Sequence, residues 1–269
     1  MRHFPAHSHY VEPWGGGAGV LLCKRPLPRG GVEVYNDLDD GVVTFFRVLR
    51  EQPDALIRAV SLTPFSRREF ETACELHEAG MQALDDVERA RRLVVRSHQG
   101  FGSAAATRRH RSGWRGGVVR SWTTPTDDWD QLPAVLSAVA ARLARVTIEH
   151  CPALDCIGRH GKGPGVLIYA DPPYLRSTRA TDSACYGVEM TNEEHAEALT
   201  ALVAAADRGC AVVVSGYGSE LYDAALADWR RVEFETTANG QTGAARRTEC
   251  LWLSPLTRHQ HDLFAPRSA

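Results

Sequence analysis

The sequence predicts an α/β protein: a mixed sheet with flanking helices and an inserted helical region. Three observations predict it. Short apolar, β-rich runs at 10–14, 32–35, 166–169 and 211–215 read as buried strands, the kind found in parallel sheets. Between the second and third of these runs lies a long stretch of helical periodicity. Near the end, 229–236 and 246–253 alternate as a closing antiparallel pair, with Asn239-Gly240 in the intervening loop.

The elements follow in order. Tyr10 to Trp14 is a first strand, Gly15-Gly16-Gly17-Ala18-Gly19 a glycine-rich turn, and Val20 to Lys24 a short helix. A second strand, Val32 to Tyr35, ends in Asn36-Asp37. From Leu38 to Arg50 the residues Leu38, Val42, Phe45, Phe46 and Leu49 share one helical face, with Asn36 or Asp37 as the expected cap. Helices are predicted over 54–60, 66–77 and 87–96; Glu69, Glu71, Glu75 and Glu78 against Arg67 and Arg68 read as a solvated face. Leu132, Val135, Leu136, Val139, Leu143 and Val146 mark a strongly periodic helix, and a strand is expected from Thr147. Residues 177–187 give no secondary-structure signal and read as a flap beside the 171–174 loop. A helix over 193–207 has Thr191 as its candidate cap, and the tail from Thr257 reads as loose.

Composition sets bounds. Hydrophobic residues make up 43% of the 269 and charged residues 24%, ordinary for a globular protein. With a net charge of −2, nucleic-acid binding would have to come from local basic clustering. No run is long enough to span a bilayer and the first residues lack a signal-peptide pattern, so no membrane role and a cytoplasmic location are expected. The seven cysteines form no C-x-x-C pair and read as free thiols. His150, Cys151, Cys156 and His160 match no common zinc spacing, so no metal is expected.

The chemistry concentrates at Asp171-Pro172-Pro173-Tyr174, where the strand 166–169 stops. Two prolines with fixed φ and no N–H take the chain out of the sheet in a stiff loop. Loops at the carboxyl ends of such strands are where open α/β sheets bind ligands. An ionised Asp171 and the Pro172 carbonyl are two convergent acceptors, which suit an NH2 group, and Tyr174 offers a flat face for a planar ring. An exocyclic amine on an aromatic base fits all three. A Pro-Pro turn with a surface Asp and a packed Tyr is the bland alternative. Separately, Asp37 lies about twenty residues beyond the glycine turn, where an acidic residue accepts from ribose hydroxyls in nucleotide-binding βαβ units. The stretch 96–126 carries Arg96, Arg108, Arg109, Arg111, Arg115 and Arg120, no acidic residue, and Phe101, Trp114 and Trp122. It reads as a phosphate-gripping and base-stacking surface, with a solvated loop holding packed tryptophans as the alternative.

Asp171-Pro172-Pro173-Tyr174 resembles the catalytic motif of S-adenosylmethionine-dependent amino-methyltransferases acting on DNA. Glu12-Pro13-Trp14-Gly15-Gly16-Gly17-Ala18 resembles their cofactor motif, acidic-Pro-Phe-x-Gly-x-Gly, with Trp14 for Phe and Ala18 for the last Gly. The likeness runs from His3 to Pro255 and is to the class alpha group typified by DNA adenine methylase, in its short phage and bacterial form. A dinucleotide-binding unit is the rival at the glycines, but Glu12 beside a pyrophosphate would be repulsive, whereas S-adenosylmethionine is cationic and has no phosphate.

The resemblance implies a Rossmann-like methyltransferase with a helical target-recognition insertion. Residues 1–60 would form the cofactor-binding half of the core, 61–145 the target-recognition insertion, and 146–269 the catalytic half. It implies S-adenosylmethionine held by Glu12, Pro13, Trp14, Gly15, Gly16, Gly17, Asn36, Asp37 and Asp171, and catalysis at Asp171, Pro172, Pro173 and Tyr174. Double-stranded DNA would be bound through Arg96, Arg108, Arg109, Arg111, Trp114, Arg115 and Arg120, with adenine N6 methylated after base flipping. A partner restriction nuclease is a further implication. The alternatives are an N4-cytosine methyltransferase and a catalytically weak or silent DNA-binding relative. His195 matches a family histidine near a helix start, with a helix-surface position equally expected. Family members usually begin with a further Gly-Gly-Lys-like segment before the Phe4-Pro5 equivalent, so weakened cofactor binding is expected of this chain as written.

Overall fold

The computed structural model describes residues 1–75, 83–100, 113–116, 124–178, 188–240 and 243–260, with backbone alone at 237–240, 243–247 and 258–260. Contacts divide the chain into two units, one of residues 1–38, 149–183 and 188–269, the other of residues 39–148 and 184–187.

The first unit is built on the sheet. Its strands are β1 (His9–Glu12), β2 (Val32–Asn36), β4 (Val166–Ala170), β5 (Ala211–Tyr217), β6 (Arg230–Gly240) and β7 (Gly243–Leu253), with β3 (Val146–Glu149) lying across the division between the units. The spatial order is β3-β2-β1-β4-β5-β7-β6. β1 runs parallel to β2 and to β4, and β4 parallel to β5. β7 is antiparallel to β5 and to β6. This is the mixed α/β sheet that the sequence predicts.

Side-chain alternation separates the faces. Val11, Ile168, Ala170, Val212 and Val214 point to one side, where they share a core with Cys156 and Ile157 of α7 (Ala153–His160), Leu199 and Leu202 of α8 (Asn192–Asp207), and Tyr222 of α9 (Glu220–Ala225). α8 starts as expected: the Thr191 side chain accepts from Glu194 N at 3.2 Å while Glu194 accepts from Thr191 N at 2.7 Å, satisfying two orphan donors. The closing hairpin is longer than its alternation predicts. Strand pairing continues through Asn239↔Ala244 and Gly240↔Gly243, so Asn239 and Gly240 belong to β6 rather than to the loop. Residues 255–260 form a short 3-10 turn where a loose tail is expected.

The second unit is helical: α2 (Asp40–Glu51), α3 (Pro53–Ser61), α4 (Arg67–Cys74), α5 (Asp86–Gln99) and α6 (Pro125–Leu143). Neither Asn36 nor Asp37 caps α2. Asp39 does, accepting from Gly41 N at 2.9 Å and Val42 N at 3.2 Å. Two apolar residues of the predicted stripes face out, Leu38 at 47% exposure and Val135 at 50%, while Val42, Phe46, Leu49, Leu132, Leu136 and Leu143 are buried. Trp129 packs inward and donates Nε1–H to the Thr63 carbonyl at 2.9 Å, which meets the requirement of a buried indole. Glu69 is not merely a solvated acid, since Arg91 reaches it at 3.0 Å while also gripping Glu88.

Candidate active site

Both motifs leave the sheet from adjacent parallel strands. β1 ends at Glu12 and β4 at Ala170, and the two are hydrogen-bonded neighbours, about 5 Å apart. The glycine turn and the Asp171 loop therefore open at the same carboxyl edge of the first unit.

The glycine turn is held by β2. Gly15 N donates to the Asn36 carbonyl at 2.8 Å, Gly16 N to Asp37 Oδ2 at 2.7 Å, and Tyr35 Oη to the Gly16 carbonyl at 2.8 Å. Gly15 lies so close to the buried Tyr35 ring that a Cβ would stand 2.2 Å from Cε2. Gly16 has φ +47°, a conformation glycine adopts without a steric penalty. Ala18, where the family motif has glycine, sits at φ +55°, at a cost of about 1 kcal/mol. A Cβ on Gly16, Gly17 or Gly19 would meet nothing within 4 Å, so the outer side of the turn is open.

The acidic and amide residues divide their tasks. Glu12 is 2% exposed and accepts from Tyr10 Oη at 2.5 Å. Asn36 is also buried; its Nδ2 donates to the carbonyls of Pro13 at 2.8 Å and Cys151 at 3.0 Å, while Oδ1 accepts from Cys151 N at 3.0 Å. Asn36 thus ties three chain segments together through backbone groups. Asp37 and Trp14 are half-buried beside the turn, and Trp14 packs on the core. The donor set fits a cationic ligand bearing hydroxyls: carboxylates line the turn, and the nearby Lys24 is buried in an ion pair with Glu33 at 2.7 Å.

At the second loop, Asp171 is half-buried and Pro172 buried. Burial, with the Glu249 carboxylate adding repulsion, pushes the Asp171 pKa up to about 6, against which a hydrogen bond with Ser215 acts. Burial likewise pushes the Tyr169 hydroxyl pKa up, with the Asp171 charge adding to it, so the phenol keeps its proton. The Tyr174 ring meets Tyr217 of β5 edge-on, centroids 4.6 Å apart at 65°. Ser215, Glu249 and Tyr217 carry no sequence motif; only the position of Ser215-Gly216-Tyr217 at the carboxyl end of a strand hints at them.

His195 is not on the helix surface. It is fully buried in the first turn of α8, and its Nδ1 lies 2.9 Å from the Tyr222 hydroxyl, which in turn feels the Asp171 charge. The metal-like quartet is dispersed into other roles: His160 faces Glu149 at 3.1 Å and Cys151 serves Asn36. Among the described residues no group of three or more ligating side chains could hold a metal.

Of the arginine-rich stretch, Arg108, Arg109, Arg111 and Arg120 lie outside the described residues, as do Phe101 and Trp122. Arg96 is half-buried on α5 and Arg115 pairs with Asp128 at 3.4 Å. Trp114 is packed in its own unit, with Arg67 over its ring at 4.5 Å and Phe65 at 5.9 Å. No helix among the described residues is long and apolar enough to cross a membrane.

A family model described as D12 class N6 adenine-specific DNA methyltransferase matches residues 1–239. The chain belongs to that family. It is accordingly an enzyme that methylates adenine N6 in DNA, and the cytosine alternative is set aside. No curated protein matches this methyltransferase. Its methyl donor and its DNA substrate follow from the family at that level of description.

Proposed function

We propose that the methyltransferase takes its methyl group from S-adenosylmethionine and acts on an adenine flipped out of duplex DNA. The observation that carries this reading is the adjacency of the two loops: an open, carboxylate-lined turn beside a loop with two fixed acceptors and an aromatic ring. Gly15, Gly16, Gly17, Trp14 and Asp37 would hold the cofactor, with Glu12 contributing negative charge from beneath. When bound, that cofactor supplies a methyl group on a sulfonium.

The chain's own residues do the rest. The Asp171 carboxylate and the Pro172 carbonyl accept the two N–H groups of the amine, which favours a pyramidal nitrogen and frees its lone pair. With its pKa raised to about 6, Asp171 binds a proton more tightly than an ordinary carboxylate, which suits it to receive the proton that the amine must lose. Tyr174 offers the ring face against which the base rests. An adenine inside a duplex cannot reach these groups, hence the flipping. The arginine-rich stretch 96–126 and the helical unit that carries it are proposed to grip the DNA.

The test is direct. The purified protein is incubated with S-adenosylmethionine and adenine-containing duplex DNA, which is then digested and its nucleosides weighed by mass spectrometry. N6-methyl-2′-deoxyadenosine is expected, in proportion to cofactor supplied. Unmodified DNA under conditions where the protein is folded and binds the duplex would overturn the reading.

A further inference from the structure

β4 and β5 end at different heights. The two run in parallel register as far as Ala170↔Val214, and then the prolines take the β4 chain out of the sheet. β5 continues through Ser215, Gly216 and Tyr217, held by β7 at Leu251, Cys250 and Glu249. Side chains alternate along that extension. Gly216 turns toward the core, where an added Cβ would meet Trp252 at 3.5 Å and Tyr222 at 3.7 Å. Tyr217 is thereby set on the opposite side, with Ser215, at the last residue of the strand. There its ring meets the Tyr174 ring edge-on, centroids 4.6 Å apart and planes at 65°.

Two proline rings fix the backbone of the loop but not the χ angles of Tyr174, so the position of that ring must come from packing. Building on the reading of Tyr174 as the face on which the flipped base rests, we propose that Tyr217 is the positioning residue of the Tyr174 ring. An edge-on pair sets the positive edge of one ring against the negative face of the other, an attraction with a preferred geometry as well as a size. At 65° the neighbour cannot cover both faces of Tyr174, so the contact holds the ring while leaving a face toward the base. Tyr217 stands on a strand in register with β7, a firmer support than a loop would give. A ring left to swing would have to be ordered each time a base arrived, and that cost would be subtracted from the stacking.

The experiment is a double-mutant cycle of Tyr217→Ala, Tyr174→Ala and the two together, beside Tyr217→Phe, Tyr217→Leu and the wild type. Initial rates of methyl transfer to unmethylated genomic DNA give kcat/KM, calorimetric titration gives the affinity for S-adenosylmethionine, and thermal melting confirms folding. Tyr217→Ala should lower kcat/KM for DNA about two- to tenfold, the size of one aromatic pair, with cofactor affinity unchanged. Tyr217→Phe, which keeps the ring, should recover most of that loss, whereas Tyr217→Leu, which keeps only bulk, should not. In the Tyr174→Ala background Tyr217→Ala should have no further effect, because a residue acting through a ring has nothing to act on once the ring is gone. Wild-type kcat/KM in Tyr217→Ala, no recovery in Tyr217→Phe, or losses that multiply in the double variant would overturn the proposal. Should Tyr217→Ala not fold, wild-type kcat/KM in Tyr217→Leu overturns it equally. A normal Tyr217→Ala beside an impaired Tyr174→Ala sinks this inference alone, whereas an unimpaired Tyr174→Ala sinks the reading of the base site itself.

Discussion

The two loops at the sheet edge are stiffened by opposite means. The 15–19 turn has almost no side chains of its own and takes its shape from β2, through Asn36, Asp37 and Tyr35. The 171–174 loop carries its stiffness covalently in two pyrrolidine rings, and what its neighbours set is the ionisation of Asp171. A shape built by remote partners can be lost by mutation twenty residues away. A shape built by proline rings survives, and its chemistry fails first.

The largest effect should come from the second loop. Asp171→Ala should lower methyl transfer at least on the order of a hundredfold while cofactor affinity stays close to wild type, as kinetics beside calorimetric titration would register. Near-normal turnover would remove Asp171 from the chemistry. The first loop should fail differently. Gly15→Ala forces a Cβ into the buried Tyr35 ring, at a cost of about 1–3 kcal/mol, and should abolish cofactor binding along with activity. Intact cofactor binding in that variant would show that the turn is less tightly held than its geometry implies.

Remote control of the first loop is tested by Asn36→Ala. It strips partners from the buried backbone groups of Pro13 and Cys151 and should cost about 2–4 kcal/mol, read as a lower denaturation midpoint. The second loop should respond to pH instead. A carboxyl whose pKa is raised to about 6 in the fold makes its ionised form a burden above that pH, a burden absent near pH 4 where it is protonated. Asp171→Asn, uncharged throughout, should therefore melt higher than wild type at pH 8 by up to about 3 kcal/mol of stability, the gain vanishing near pH 4. A gain that persists at pH 4 would point to packing instead. The smallest effect belongs to Gly17→Ala, whose Cβ meets open space: a stability change within about 0.5 kcal/mol is expected, and any loss of cofactor affinity would locate the ligand against that residue.

Much of this was legible in the sequence because its causes are local. Apolar β-rich runs placed the core strands, paired prolines marked the end of β4, and Thr191 announced a helix start. The failures have a common cause in distance along the chain. Asn36 and Asp37 look like caps for α2, but their side chains are drawn to Cys151 and Gly16, and Asp39 takes the task. For His195 the sequence leaves a surface position as open as a site role, and only Tyr222 packed beside it removes the first. Ser215 and Glu249 became neighbours of Asp171 through strand register, which no window of sequence contains.

The position of β1 in the sheet carries a consequence for how the chain is made. β1 lies between β2, which follows it closely, and β4, which begins only at Val166. A ribosome adding about 5–20 residues per second needs on the order of ten seconds or more to travel from β2 to β4. Throughout that interval the nascent β1–β2 pair presents an apolar strand with one unsatisfied edge, the kind of surface that chaperones bind and that seeds aggregation. Any fragment that stops short of residue 170 keeps that edge for good. Expression of amino-terminal pieces should yield inclusion bodies, and slowing translation should lengthen the hazard in proportion.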